Sequence, residues 1–283
     1  MFFLPRIIHN YTKLFAVLTS LKNPLIKEVR KLQKTSERHR QNLCLLEGTN
    51  LLTVASQVDY PLTTVLATSP WQNKNYQLWQ TLQGKAQRWE TVSEEIIKSL
   101  ATTVNPDGVL ATAPRISRED LSSDNITLGL VLEKIQDPGN LGTIIRTGVA
   151  MGVDMLWLSA DSVDLDNPKV LRSSVGEWFR IRARMHQNIL SLVKDYRHKG
   201  YQVIATALDG NKTHWDIDFS VPTLILLGNE SQGLSADLIA LATEKVRIPL
   251  ANGVESLNVA IASALILGEY QRQKLSEVKN VIL

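Results

Sequence analysis

The sequence predicts an α/β protein: a C-terminal domain with a mostly parallel sheet covered on both faces, preceded by a small α/β domain. Three observations carry this. Five apolar, strand-like runs follow residue 127: LGLVLEK (128–134), MLWLS (155–159), YQVIATAL (201–208), TLILLG (223–228) and VRIPL (246–250). Helical segments at 140–151, 168–177, 188–199, 235–243 and 256–274 separate or follow them, and apolar strands alternating with helices mark parallel strands buried on both sides. Ahead of this pattern, PRISREDLSSDNIT (114–127) holds a proline, a Ser-Ser pair and five charges, with almost no apolar period. It reads as a linker.

The elements before the linker are shorter. The opening MFFLPRIIHNYTKLFAV is apolar in patches but broken by Arg6, His9 and Lys13, which makes a poor secretory core and is too short to span a bilayer. Residues 1–19 are read as an extension, and the expected compartment is the cytoplasm. Residues 20–44 read as helical, with Leu21, Leu25, Val29 and Leu32 on one face and basic residues on the others. CLLEGTNLLTVA (44–55) reads as strand, glycine turn and helix start, and TTVLATS (63–69) as a strand. VSEEIIKSLA (92–101) reads as a helix capped by Ser93, and PDGVLATA (106–113) as a turn and strand. The expected division is 1–113, linker 114–127 and 128–283.

Composition bounds the function. The chain has 283 residues, 44% hydrophobic and 21% charged, as in a globular protein with a sizeable core. Its net charge is +3, unevenly spread: residues 1–40 hold nine Lys/Arg against two acidic residues. A basic first segment on a slightly acidic body points to a polyanionic partner. The single cysteine, Cys44, excludes an internal disulfide, and the five histidines show no metal-ligand spacing, so no metal is expected.

Three turns stand out because each follows a strand, where parallel sheets bind ligands, and each carries groups that packing does not require. They are DPGNLGTIIRTG (137–148), GNESQGLS (228–235) and ANGVESLN (251–258). The usual G-x-G-x-x-G dinucleotide fingerprint, the P-loop and the G-x-S-x-G elbow are all absent. Within the first turn, Asn140 and Arg146 lie six residues apart, about 240° past a full helical turn. The two reach one pocket only if Asn140 sits at a non-helical cap.

The order N-x-G-x-x-x-R (Asn140, Gly142, Arg146), L-G-N-E-x-x-G-L (227–234) and I-P-x-x-x-x-x-E-S-L-N-V-A (248–260) resembles the three motifs of the SpoU (TrmH-like) branch of SPOUT RNA 2′-O-ribose methyltransferases. LKNPLIKEVRKLQKTSERHRQNLCLLEGTNLL (21–52) is similar, more loosely, to that family's RNA substrate-binding domain. The resemblance implies a deep trefoil knot in residues 128–283 and a homodimer formed through it; the apolar, small-residue helix 256–268 is a candidate for part of the dimer surface. It implies S-adenosyl-L-methionine held near Leu208, Gly228, Ile248 and Leu257. Catalysis is then expected of Arg146, Asn140, Glu230 and Asn258, with Glu230 orienting Arg146 or balancing the sulfonium and Ser256 either capping a helix or taking part. The expected reaction is methyl transfer to a ribose 2′-hydroxyl of RNA, large-subunit rRNA before tRNA. The alternatives are a tRNA enzyme, a non-catalytic RNA-binding protein of the same fold, and a base-nitrogen methyltransferase of another SPOUT branch.

Overall fold

The computed structural model describes residues 17–116, 118 and 126–282, with side chains through Ser276. Most of the expected linker, and most of the extension 1–19, lie outside the described residues. The chain divides into two compact units, Met1–Pro114 and Arg115–Leu283.

In the first unit, strands β1 (Leu43–Glu47), β2 (Leu62–Ala67), β3 (Ala86–Thr91) and β4 (Val109–Pro114) form a sheet of order β1-β4-β2-β3. β4 runs antiparallel to both neighbours and β2 parallel to β3. Helices α1 (Pro24–Lys31), α2 (Thr35–Gln41), α3 (Thr49–Gln57), α4 (Ser69–Lys74), α5 (Tyr76–Lys85) and α6 (Glu94–Leu100) complete it. Ile26, Val29, Leu32, Leu45, Leu66, Ile96 and Leu110 share one core. Ser93 caps α6 as expected, accepting from the Ile96 amide at 3.3 Å.

The helix expected over 20–44 is instead α1 and α2 joined by a tight turn. The cause is Arg38, which is 1% exposed. Its guanidinium donates to the carbonyls of Leu32 and Gln33 at 3.1 Å and to Thr35 Oγ1 at 2.8 Å. These carbonyls sit at the C-terminus of α1, where unsatisfied oxygens favour a cation. One residue counted in the basic first segment is therefore a buried clamp. Residues 70–91, passed over in the sequence, carry nearly all of α4 and the whole of α5 and β3, on which Trp71, Trp79 and Trp89 stack edge to face at 6.4 and 5.8 Å.

The second unit is one seven-stranded sheet. Its strands are β5 (Leu128–Leu132), β6 (Met155–Ser159), β7 (Ala183–His186), β8 (Gln202–Thr206), β9 (Lys212–Thr213), β10 (Thr223–Leu227) and β11 (Glu244–Arg247). Their order is β7-β6-β5-β10-β8-β11-β9, with every pairing parallel. β5, β6 and β10 are buried at every residue, as two covered faces require. Helices α7 (Pro138–Ala150), α8 (Pro168–Ser173), α9 (Ile189–His198), α10 (Ala236–Leu241) and α11 (Val259–Ile282) do the covering. Val131, Trp157, Val203 and Leu224 pack on one face with Leu192 and Val193 of α9 and Leu238 of α10. On the other, α7 lies over β5, with Gly148 facing Leu130. A Cβ on Gly129 would fall 2.7 Å from the Trp157 ring, so this glycine makes room for a large core side chain.

Candidate active site

The site is assembled where β5, β10 and β11 end. After β5 the chain turns through Glu133–Asp137 into α7, which Asp137 caps by accepting the Asn140 amide at 2.9 Å. Pro138 at the first helical position suits a missing N–H. The Asn140 amide bond, then the nearby Lys169 ammonium at 3.3 Å, hold the Asp137 carboxyl below the usual range. Asp-Pro ahead of a helix is a cap signature, and it would have identified Asp137 from sequence.

Asn140 is thus inside the first turn of α7, not at its cap. This corrects the expectation that Asn140 and Arg146 converge. On one regular helix six residues leave them on different faces. Arg146 is exposed and makes no hydrogen bond or ion pair among the described residues. Glu230, expected to orient it, bonds elsewhere.

Asn140 joins the other two turns. Its Nδ2 donates to Glu230 Oε1 at 3.0 Å, and its Oδ1 accepts from Asn258 Nδ2 at 2.8 Å. Asn258 Oδ1 in turn caps α11 by accepting the Ala260 amide at 2.9 Å. This fixes each amide's orientation, because a carboxylate can only accept and a backbone N–H can only donate. Glu230 Oε1 also accepts the Asp137 amide at 3.4 Å. Ser256, read as capping or functional, does not cap: it is exposed, and Asn258 takes that role.

Two residues missed in the sequence hold this arrangement. Asn229 Nδ2 donates to the Lys134 carbonyl at 2.8 Å, clipping the second turn to the first. Glu133, 7% exposed, accepts the Ser235 amide at 2.7 Å. A buried carboxylate satisfied by a distant amide leaves no local sequence signal.

The cofactor residues expected from the motifs lie past three adjacent strand ends. Gly228 follows β10, while Leu208 and Ile248 each lie two residues beyond the register pair Thr206–Val246 of β8 and β11. Leu257 precedes Asn258. Leu208 is 70% exposed, an apolar side chain over a strand end, and Ile248 and Leu257 are half-buried. This apolar set at the strand ends fits an adenosyl moiety. The need for glycine at 228 is internal: a Cβ there would lie 2.2 Å from the Gly233 carbonyl carbon. Asn229 and Gly233 exchange backbone bonds at 3.1 and 2.9 Å, folding the turn back on itself. Among the described residues no group of three or more His, Cys, Asp or Glu could hold a metal ion, and no helix is long and apolar enough to cross a membrane.

Residues 127–268 match the SpoU rRNA Methylase family and residues 23–111 the MRM3-like substrate binding domain. A tRNA/rRNA methyltransferase of Synechocystis sp., itself uncharacterized, is 44% identical over 92% of this chain and 94% of its own. The Bacillus subtilis 23S rRNA (guanosine(2553)-2′-O)-methyltransferase is 30% identical over 88% of this chain and 97% of its own. The Escherichia coli tRNA (guanosine(18)-2′-O)-methyltransferase is 34% identical, over 52% of this chain and 64% of its own. Among solved structures, the AdoMet-bound rRNA methyltransferase of Sinorhizobium meliloti superimposes with a TM-score of 0.79 at 30% identity, covering 92% of this chain and 98% of that one. The chain belongs to the SpoU family, and is an S-adenosylmethionine-dependent RNA 2′-O-ribose methyltransferase.

Proposed function

We propose that the chain methylates a ribose 2′-hydroxyl of large-subunit ribosomal RNA, using the Glu230–Asn140–Asn258 chain to position the reacting groups. The observation that carries this is that hydrogen-bonded chain, which ties three turns together at the strand ends. The preference for rRNA rests on extent of match. The 23S rRNA relative aligns along both units, whereas the tRNA relative aligns over about half of the chain. Mapping 2′-O-methyl sites in total RNA with and without the gene tests it. Loss of one site in 23S-type rRNA is expected, and loss confined to tRNA would overturn it.

When bound, S-adenosylmethionine supplies an electrophilic methyl on a sulfonium. The protein's task is to hold the ribose oxygen in line with it, since positioning supplies much of the rate. Asn140 and Asn258 offer donors and acceptors without adding charge. Leu208, Gly228, Ile248 and Leu257 form the adenosyl side. Arg146 carries a guanidinium that stays protonated at ordinary pH. It serves better by stabilising the forming oxyanion, or gripping a phosphate, than by taking a proton.

Because Arg146 faces away from Asn140 on α7, we place it at the site of a second copy, in a homodimer formed through the C-terminal knot. Ile261 and Leu265, exposed at 51% and 42% one turn apart on α11, supply apolar surface for that contact. Co-expressing Arg146→Ala with Asn258→Ala separates the cases. Sharing across a two-fold dimer restores roughly a quarter of wild-type activity, whereas a site contained in one chain restores none.

A further inference from the structure

We propose that a cleft within the first unit, lined by Lys74, Lys98, Glu94, Asp107 and Trp71, binds one unpaired nucleotide of the substrate RNA. This rests on the reading of the chain as an RNA-modifying enzyme and adds to it a specific recognition site. The cleft encloses about 570 Å³, within the roughly 300–1,000 Å³ of small-ligand sites.

Its walls are rigid. Trp71 is 4% exposed, its indole N–H donates to Thr49 Oγ1 at 2.9 Å, and it stacks on Trp79. Gly108, at φ +99°, passes so close that a Cβ would lie 2.8 Å from Thr68 Oγ1 and 3.2 Å from Trp71 Cβ. Only glycine accepts both that conformation and that contact. A pocket built on a tryptophan ladder and a constrained glycine keeps its shape without a ligand. Ile97, 1% exposed, adds an apolar lining, and Pro70 and Pro106 contribute flat apolar surface that suits a base.

The polar groups match a nucleotide. Lys74 and Lys98 are exposed and make no ion pair among the described residues, so their ammonium groups are available to the two phosphates that flank the nucleotide. Asp107 spends Oδ2 on the Thr49 amide at 2.9 Å, leaving Oδ1 to accept from a base edge. The Thr49 hydroxyl accepts from Trp71 and keeps its own hydrogen to donate. Cations for phosphate, acceptors for base N–H groups and apolar walls for a ring suit an unstacked base in single-stranded RNA. A duplex, whose bases are paired and stacked, offers neither an open ring face nor a free Watson–Crick edge.

The test uses the full chain, with fluorescence anisotropy on a single-stranded RNA hexamer, the same sequence as a duplex, and a free ribonucleoside monophosphate. Wild type is expected to prefer the single strand over both. Lys74→Ala/Lys98→Ala is expected to weaken hexamer binding about tenfold or more and to reduce the salt slope by about 1.4, two phosphate contacts at about 0.7 each. Lys74→Arg/Lys98→Arg should restore both. Wild type that binds single strands while the alanine variant binds with unchanged affinity and slope overturns the cleft alone. Equal affinity for the monophosphate makes it a small-molecule site and also overturns the proposal. Wild type that binds no RNA overturns the RNA reading and the cleft with it.

Discussion

Asn140 is the residue whose role changed most between sequence and structure. Its position in N-x-G-x-x-x-R marked it, but its environment shows why it is an asparagine. It must donate to Glu230 and accept from Asn258 at once, which among small side chains suits an amide. Asn140→Ala is therefore expected to lower kcat by roughly 10²–10³, the scale of a lost catalytic-site hydrogen bond. Steady-state kinetics with calorimetric titration of S-adenosylmethionine checks it, and an unchanged kcat would refute the positioning role. His214 makes a second residue-level case. It is 4% exposed, its Nδ1 has no partner among the described residues, and Trp215 stacks against it at 4.6 Å. Burial holds its pKa below the ordinary value, against the opposing pull of Glu269 and Asp216. A depressed histidine is bound by protons more readily in the unfolded chain. Stability is thus full above the unfolded pKa near 6.5 and falls as pH drops below it. His214→Gln should flatten that dependence between pH 7.5 and 5, measured as the urea midpoint.

At the scale of elements, α7 and α8 meet through Gly142. A Cβ there would fall 2.0 Å from Ser173 Oγ and 2.8 Å from the Val170 carbonyl oxygen. Gly142→Ala is expected to destabilise the chain by about 1–3 kcal/mol, the usual cost of overpacking. Ser173→Gly should recover only part of this, because the Val170 carbonyl remains, and urea unfolding of the single and double variants tests it. The glycine of the first motif is therefore read as a packing residue, a distinction that motif spacing cannot draw. The central strands were legible because their apolar runs are long and uninterrupted. β7 (ARMH) and the two-residue β9 were not, because at the sheet edges neither needs an apolar run. α4 and α5 were missed because both are short and bury few residues, Trp71 in the first and Trp79 and Leu82 in the second, too few to set a helical period. The helix expected to begin at 256 begins at 259, since Asn258 and not Ser256 supplies the cap.

Across the whole molecule, the three turns were visible in sequence and so was their convergence on strand ends. Their bonding through Asn140 was not, since contacts between residues 90 and 118 positions apart leave no local pattern. Each unit has its own sheet and its own buried residues. A fragment ending at Arg115 is accordingly expected to unfold cooperatively by itself, and a broad, non-cooperative circular dichroism melt would contradict that. The order β7-β6-β5-β10-β8-β11-β9 carries a further consequence. β10 is the seam between two groups of strands, and most of both groups is made before it. A growing chain can pair β5 with β6 and β6 with β7 early, yet the open edge of β5 must wait for Thr223–Leu227 to arrive. Asn258 follows later still. At about 5–20 residues per second, the Glu230–Asn140–Asn258 contact thus forms several seconds after β5 has been made. A copy stopped before Asn258 lacks the contact that ties its three turns together.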